Sequence, residues 1–422
     1  MDHPAAAVSE NMLRRRFLDR PQSLLLRKFL FQVHLWTGVG VGVYMSVMGI
    51  SGSALVFREE LEQRAHPTLY PAAAPDGTAA PIVDVIRNIE AAYPDHRVAS
   101  IYSPTRGRSI FSAFVQKDGR TRTVLASPSG RVLGERPETG FITWLQQLHV
   151  NLLAGTSGRL VNGLGALLLL LLCMTGSVIW WPGVNKWRQS TRVDFRKTWK
   201  RVAWELHSAT GFWTVVVLSM WALTGMYFSF PGPFQKVVGR LSPLTAGTVV
   251  PSDPSRGPQR ADIGGLIKLA EGAVTGGQVA GVVLPSGDRG SVLVQLSRSQ
   301  PDDLDTSGYV HFTFDQYSGA LLNTWDQVDR STGDTVLSWM VPLHFGTFGG
   351  VPLRIVWVLL GLGPPLLFVT GVVMWWNRVL RKKWCVNRLG VQTRRAAEPE
   401  SGSASSQSSS ESPTSIRWQG EA

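Results

Sequence analysis

Four stretches of this chain, roughly residues 29–57, 160–181, 203–230 and 354–377, run almost free of charge. Each is long enough to cross a bilayer, for which about 20 apolar residues suffice. Lipid offers no water to an open N–H or C=O, so such runs must close their hydrogen bonds as helices. The predicted fold is therefore an α-helical membrane protein, a four-transmembrane-helix bundle. The overall composition, 44% hydrophobic and 17% charged, conceals this division between apolar runs and polar connections.

Basic residues set the orientation. Arg14, Arg15, Arg16, Arg20, Arg27 and Lys28 precede the first run. Lys186, Arg188, Arg192, Arg196, Lys197, Lys200 and Arg201 stand between the second and third, and Arg378, Arg381, Lys382, Lys383 and Arg388 follow the fourth. All three clusters fall on one side of a four-span topology. That predicts a multi-pass membrane protein with both termini cytoplasmic and two extracytoplasmic domains, which are periplasmic on the inner-membrane location that the resemblance given below implies. The net charge of +12 then reads as a topology signal rather than a nucleic-acid surface, because the basic runs hug span ends. The first run is too long for the core of a cleavable signal and reads as an uncleaved anchor. Cys173 and Cys385 cannot build a disulfide framework, and no Cys-x-x-Cys-His is present for covalent haem attachment.

The four runs form two related pairs. His149 is followed by Gly158-Arg159, Thr175-Gly176 and Trp180-Trp181; His344 is followed by Arg354, Thr370-Gly371 and Trp375-Trp376. In both copies Arg follows His by ten positions, the Gly of Thr-Gly by twenty-seven and the first Trp by thirty-one. Likewise His34 leads to Gly38 and Ser51-Gly52, and His207 to Gly211 and Thr224-Gly225. The chain reads as an internal duplication in which a histidine marks every span.

Taken in order, residues 1–28 are a basic cytoplasmic arm and 29–57 the first span. Residues 58–140 are a first periplasmic domain, with a helix over Ile82–Tyr93 stopped by Pro94 and alternating runs at Val98–Tyr102, Ile110–Val115, Thr123–Ala126 and Val132-Leu133. Residues 141–182 are a His-bearing segment and the second span, 183–202 a basic cytoplasmic loop, and 203–230 the third span. Residues 231–338 repeat the domain plan: a helix at Ile263–Ala273 and strands at Gln278–Leu284, Ser291–Leu296, Tyr309–Phe314 and Leu321–Thr324. Its start, Pro231 to Gln259, is rich in Pro and Gly and predicts irregular structure. Residues 339–377 hold the last His-bearing segment and fourth span. Residues 378–422 are the cytoplasmic tail, Ser-, Glu- and Gly-rich from 389 and predicted disordered.

These features resemble the PepSY-associated transmembrane family over about residues 25–380. The resemblance is carried by Lys28…His34-x-x-x-Gly38, Leu148-His149…Gly158-Arg159, Leu343-His344, the Thr-Gly-x-x-x-Trp exits and the two helix-plus-hairpin domains. It implies a four-helix membrane core with two small α+β, PepSY-like domains and two non-covalent b-type haems. It also implies electron transfer across the membrane to iron chelates, as in the inner-membrane ferrisiderophore reductases of that family.

The histidines carry chemistry of their own. An ionisable residue in a span is a functional candidate, although a His can also serve as interhelical polar glue. Depth sorts them into His34 with His207 near the cytoplasmic ends and His149 with His344 on the outer side. Two facing imidazoles are what a six-coordinate haem iron requires, and bundles build cofactor sites from facing side chains. Zinc and copper are competing metals, but two ligands at each level are thin for zinc.

Haem propionates need cations. Arg159 and Arg354 serve the outer pair on this reading, and Lys28 and Arg201 the inner one; the alternative is that all four are interfacial anchors. Glycines 38, 52, 176, 211, 225 and 371 would let a porphyrin, or simply a second helix, lie close. A continuous helix from His149 to Trp180 would be about 46 Å long, against a hydrocarbon core of about 30 Å. Either the helix breaks near Gly155–Gly158 and Gly346–Gly350 or the outer haem lies at the interface.

The expected function is a di-haem electron-transfer protein reducing a periplasmic Fe(III)–siderophore so that Fe(II) is released for uptake. The electron would enter at His34/His207 and leave from His149/His344. No nucleotide fingerprint is present, so the donor would be a quinol or a cytoplasmic reductant. The siderophore type is not legible, and His66, His96 and His311 of the outer domains read as structural or surface residues. Rival classes are a non-redox module regulating extracytoplasmic peptidases, a quinone-linked carrier with another acceptor, and a transporter. Against the last, the repeats run parallel and no broken helix is expected at the centre.

Overall fold

The computed structural model describes residues 25–71, 79–105, 109–182, 187–245, 250–256, 260–299 and 308–380. Most of the basic arm, Lys186, the tail beyond 380 and Cys385 lie outside the described residues.

Among the described residues four helices are long and apolar enough to cross a membrane. The first, α1 (Leu25–Leu55), leads through Phe57 into a short polar helix, α2 (Arg58–Ala65). Then come α3 (Ile82–Ala92) and four strands: β1 (Arg97–Tyr102), β2 (Phe111–Lys117), β3 (Arg120–Ala126) and β4 (Val132–Glu135). The chain returns through α4 (Phe141–Asn151) to the second spanning helix, α5 (Gly155–Trp180). A single turn, α6 (Trp187–Ser190), precedes the third, α7 (Trp199–Ser229), which is followed by α8 (Pro231–Leu241). The second half repeats the plan with α9 (Ile263–Ala273), β5 (Gln278–Val283), β6 (Ser291–Ser297), β7 (Tyr309–Asp315) and β8 (Leu321–Asp326). It closes with α10 (Thr332–Ser338), α11 (Met340–Phe345), α12 (Gly350–Gly361) and α13 (Gly363–Trp375). Residues from Val373 onward form a separate unit: the end of α13 and a π-helical turn, Trp376–Leu380, where Asn377 Nδ2 donates to the Val373 carbonyl at 2.8 Å.

Three of the sequence expectations need correcting. The segment after Pro231 is not irregular at its start, because α8 is a helix with Pro at its first position, where a missing N–H costs nothing. The two small sheets are also not separate. They fuse into one antiparallel sheet of eight strands in the order β4-β3-β2-β1-β5-β6-β7-β8. The join is β1 with β5, in the register Ser100↔Val283, Ile101↔Val282 and Tyr102↔Gly281. Each half alone would leave an apolar strand edge unpaired, and covering it with the other half removes that liability. One core serves the fused sheet: Val85, Ile86 and Ile89 of α3 and Leu266, Ile267 and Ala270 of α9 pack with Ile101, Val282, Val294 and Phe312.

His311 of β7 alternates with the core-facing Val310 and Phe312 and stacks at a tilt on Trp325, ring centres 5.0 Å apart. Burial pushes its imidazole down to about 4. The unfolded chain therefore takes up a proton near pH 6.5 that the fold refuses, so the stabilising effect is complete above that pH and is lost as pH falls from 6.5 to 4. The loss is about 3 kcal/mol at most, from about 1.4 kcal/mol per unit. Thermal unfolding of the full chain should show a midpoint that drops between pH 7 and pH 4, less steeply in His311→Gln. Equal slopes would remove His311 from the account.

The fourth span is also broken, contrary to expectation. Pro364 and Pro365 supply no N–H to the turn before them, and α12 gives way to α13 at Leu362. There the Leu362 N–H turns back to the Leu359 carbonyl at 3.2 Å. That leaves the Val358 carbonyl without its usual donor, and the Ser53 hydroxyl of α1 donates to it at 3.0 Å. Backbones nearly touch at this point, since a Cβ on Gly49 would overlap the Gly361 carbonyl oxygen.

Candidate functional site

Each histidine enters the bundle from a differently built element. His34 and His207 stand within the continuous helices α1 and α7. His149 and His344 sit near the ends of the short helices α4 and α11, which stop before the spans begin. The predicted break is therefore present. In the first copy it falls at Leu152 and Leu153, both left-handed at φ 53° and 60°; in the second Gly346 takes the left-handed turn. Gly155 and Gly350, six residues after their histidines, both have positive φ, 57° and 63°, and both open the spanning helix. Left-handed backbone at two consecutive leucines is strained, and side chains from the span brace it. Asn162 Nδ2 donates to the His149 carbonyl at 2.7 Å, and at the equivalent position Trp357 Nε1 donates to the Leu343 carbonyl at 3.0 Å.

The four rings meet in two pairs. His34 and His207 have ring centres 6.4 Å apart and planes at 88°; His149 and His344 are 6.3 Å apart at 60°. This is the pairing by depth expected from sequence. A second layer of contacts supports each ring. Nδ1 of His34 lies 3.0 Å from Thr175 Oγ1, and Nδ1 of His149 3.0 Å from Ser51 Oγ. Nδ1 of His207 lies 3.0 Å from Thr370 Oγ1, and Nδ1 of His344 2.8 Å from Thr224 Oγ1. All four contacts come from the hydroxyl of a Ser/Thr-Gly pair on a neighbouring helix. The glycine of the pair makes room for the ring: a Cβ would stand 2.9 Å from His149 Cε1 at Gly52, 3.1 Å from His34 Cε1 at Gly176 and 3.4 Å from His207 Cε1 at Gly371. These glycines thus serve imidazole edges, while Gly225 meets Ala166 instead.

The cations divide. Arg354 is held bidentately by Glu60 of α2, with Nη2–Oε2 at 2.8 Å, while it also donates to the Val56 carbonyl and covers the Phe57 ring. Arg159 is exposed, and the position equivalent to Glu60 in the other half is Pro233, which offers no carboxylate. Arg201 joins Lys197 in neutralising the buried Glu205, at 2.9 and 2.8 Å. Lys28 is exposed, whereas its neighbour Arg27 caps α5 through the Ile179 and Trp181 carbonyls. Glu62, beside Glu60, takes Arg136 at 2.7 Å just past β4, so α2 grips both the sheet and the fourth span. His66 caps α2, and His96 lies edge-on to Tyr93 at 5.6 Å; neither joins the pairs.

The family profile described as the PepSY-associated TM region matches residues 31–378, which takes in all four histidines, the Ser/Thr-Gly pairs and the sheet between them. The chain belongs to the PepSY-associated TM family. Among curated proteins, an uncharacterized protein of Pseudomonas aeruginosa strain PAO1 is 24% identical over 261 residues, 56% of this chain and 63% of the relative. The chain thus spans a little under two thirds of that relative's length. For this PepSY-associated TM protein the histidine sets are pairs: among the described residues no group of three or more His, Cys, Asp or Glu comes together. Sequence reasoning missed the four hydroxyls, Asn162, Trp357 and Glu60. The hydroxyls had a visible signal, since all six repeated glycines follow a Ser or Thr, and four of those six hydroxyls are the ones that meet the rings.

Proposed function

We propose that this protein is an inner-membrane electron-transfer protein that holds two b-type haems, one between each histidine pair, and reduces a periplasmic Fe(III)–siderophore. The single observation that carries the reading is the spacing of the paired rings. A metal–nitrogen bond of about 2 Å on each side sets two imidazole centres about 6 Å apart when both ligate one metal, and both pairs are at that separation. Two axial nitrogens complete a haem iron, and the iron when bound supplies one-electron chemistry. The chain's own part is to orient the rings and keep water out. Ser51, Thr175, Thr224 and Thr370 orient the rings, and the breaks after α4 and α11 separate the outer pair from the spanning helices that follow. Arg159 and Lys28 are the exposed cations that would meet propionates at the outer and inner pairs, whereas Arg354 and Arg201 are engaged by Glu60 and Glu205. The basic clusters support cytoplasmic termini, which puts the sheet on the periplasmic side beside the acceptor; the donor is a quinol or a cytoplasmic reductant.

The test is direct. Purified protein should show a reducible b-type Soret band. Mixed anaerobically in its reduced state with an Fe(III)–siderophore, it should be reoxidised as Fe(II) accumulates under a ferrous-specific chelator. Hydroxamate, catecholate and carboxylate chelates that all failed, with a quinone succeeding, would leave a quinone-linked carrier with another acceptor. A haem-free protein from haem-replete cells would end the reading altogether.

A further inference from the structure

We infer that Ser51, Thr175, Thr224 and Thr370 are positioning residues that fix the histidine tautomer, keeping a proton on Nδ1 and presenting the Nε2 lone pair to a metal between each pair. The inference rests on the haem reading above and concerns residues to which that reading gave only an orienting part.

A hydroxyl has one proton to donate, and a neutral imidazole has one N–H. In this bundle every hydroxyl has already committed its proton. Ser51 Oγ donates to the Val47 carbonyl at 2.7 Å, Thr175 Oγ1 to Leu171 at 2.7 Å, Thr224 Oγ1 to Met220 at 3.0 Å and Thr370 Oγ1 to Leu366 at 2.7 Å. Each is the carbonyl one turn back on its own helix, so the hydroxyl oxygen is left able only to accept. The ring nitrogen facing it must therefore be the donor, and that nitrogen is Nδ1 in all four cases. With Nδ1 protonated, Nε2 of a neutral ring carries the lone pair. Among the described residues none of the four Nε2 atoms has a hydrogen-bond partner.

Polar glue between helices does not require this arrangement. Glue would be served by either tautomer and by either nitrogen, whereas here four independent contacts select the same nitrogen with the same direction of donation. A hydrogen bond from Nδ1 also strengthens Nε2 as a donor to a metal, and loss of such a partner typically weakens metal binding about 10- to 100-fold.

Thr224 is the decisive position, because its contact with His344, 2.8 Å, is the shortest of the four. Full-length protein carrying Thr224→Val keeps the shape and loses the acceptor. It should release one haem to apomyoglobin about 10- to 100-fold more readily and raise that haem's midpoint potential, with the low-spin electron paramagnetic resonance signal of that haem shifted. Thr224→Ser should restore all three. Ser51→Ala, which removes one oxygen on the other side of the same pair, should move the same haem, and Thr370→Val the other one. If Thr224→Val fails to accumulate, Ser51→Ala decides. Retention, potential and resonance signal unchanged in Thr224→Val and Ser51→Ala would overturn the tautomer assignment while leaving two bound haems intact. Wild-type protein without haem would overturn the assignment together with the reading beneath it.

Discussion

Alanine at His149 and alanine at His344 are expected to remove one and the same haem, and alanine at His34 or His207 the other. Each variant should therefore retain half of the wild-type haem per chain, not a graded fraction. The reason is geometric. His149 reaches the bundle from α4 and His344 from α11, about 195 residues apart in sequence, yet their rings are 6.3 Å from each other and the second pair is built elsewhere from α1 and α7. If each pair holds one haem, losing either imidazole would leave that non-covalent cofactor on a single protein ligand. Pyridine haemochrome per chain, together with redox titration of the double variants, reads the result. His149→Ala with His344→Ala should still hold one haem, and His149→Ala with His34→Ala none. Two different haems lost from His149→Ala and His344→Ala would show that the ligands pair within a half of the chain rather than between halves.

A second large effect is expected at Gly49, whose Cβ position meets the fourth span and no histidine ring. Its Cα faces the carbonyl of Gly361 and the rings of Pro364 and Pro365, and a Cβ would overlap that carbonyl oxygen. Backbone cannot rotate aside as a side chain can. Overpacking a core with one methylene costs about 1–3 kcal/mol when side chains can yield; Gly49→Val adds three carbons against an atom that cannot. The variant should fail to accumulate as a monodisperse species in detergent. Gly40→Val, on the same helix but with nothing within 4 Å of its Cβ position, should be recovered normally. Equal recovery of the two would mean that α1 does not pack on the break in the fourth span as described.

Much of this arrangement was legible in the chain. Long uncharged runs leave helix as the only solution in lipid, so four spans follow from composition alone. The equal offsets from each histidine to a Ser/Thr-Gly pair revealed two matching halves, although they do not tell that the Thr175 hydroxyl meets His34 and the Ser51 hydroxyl meets His149. Three features were hidden for physical reasons. The β1–β5 join depends on which edges meet, and alternation tells which residues face a core but not which strand lies alongside. The break before α5 was expected at its glycines, but its exact place was not legible, because it begins at two leucines, Leu152 and Leu153, in left-handed conformation. The engagement of Arg354 by Glu60 was invisible because the repeat predicts like partners for Arg159 and Arg354, and the partner exists on one side only.

That last asymmetry has a bearing on ancestry. Ile101 and Val282 pair with each other across the centre of the sheet, and they occupy corresponding places in the two halves, each the fifth residue of its strand. A two-fold axis passing between equivalent residues is the mark of an isologous contact, in which one surface meets its own copy. A polypeptide half as long could therefore have assembled the same sheet and both histidine pairs as a dimer of identical subunits, with its two flanks obliged to be alike. Joining them end to end lifts that obligation. One flank can then trade a carboxylate for proline, and an asparagine brace can become a tryptophan, while the axis through the middle stays put.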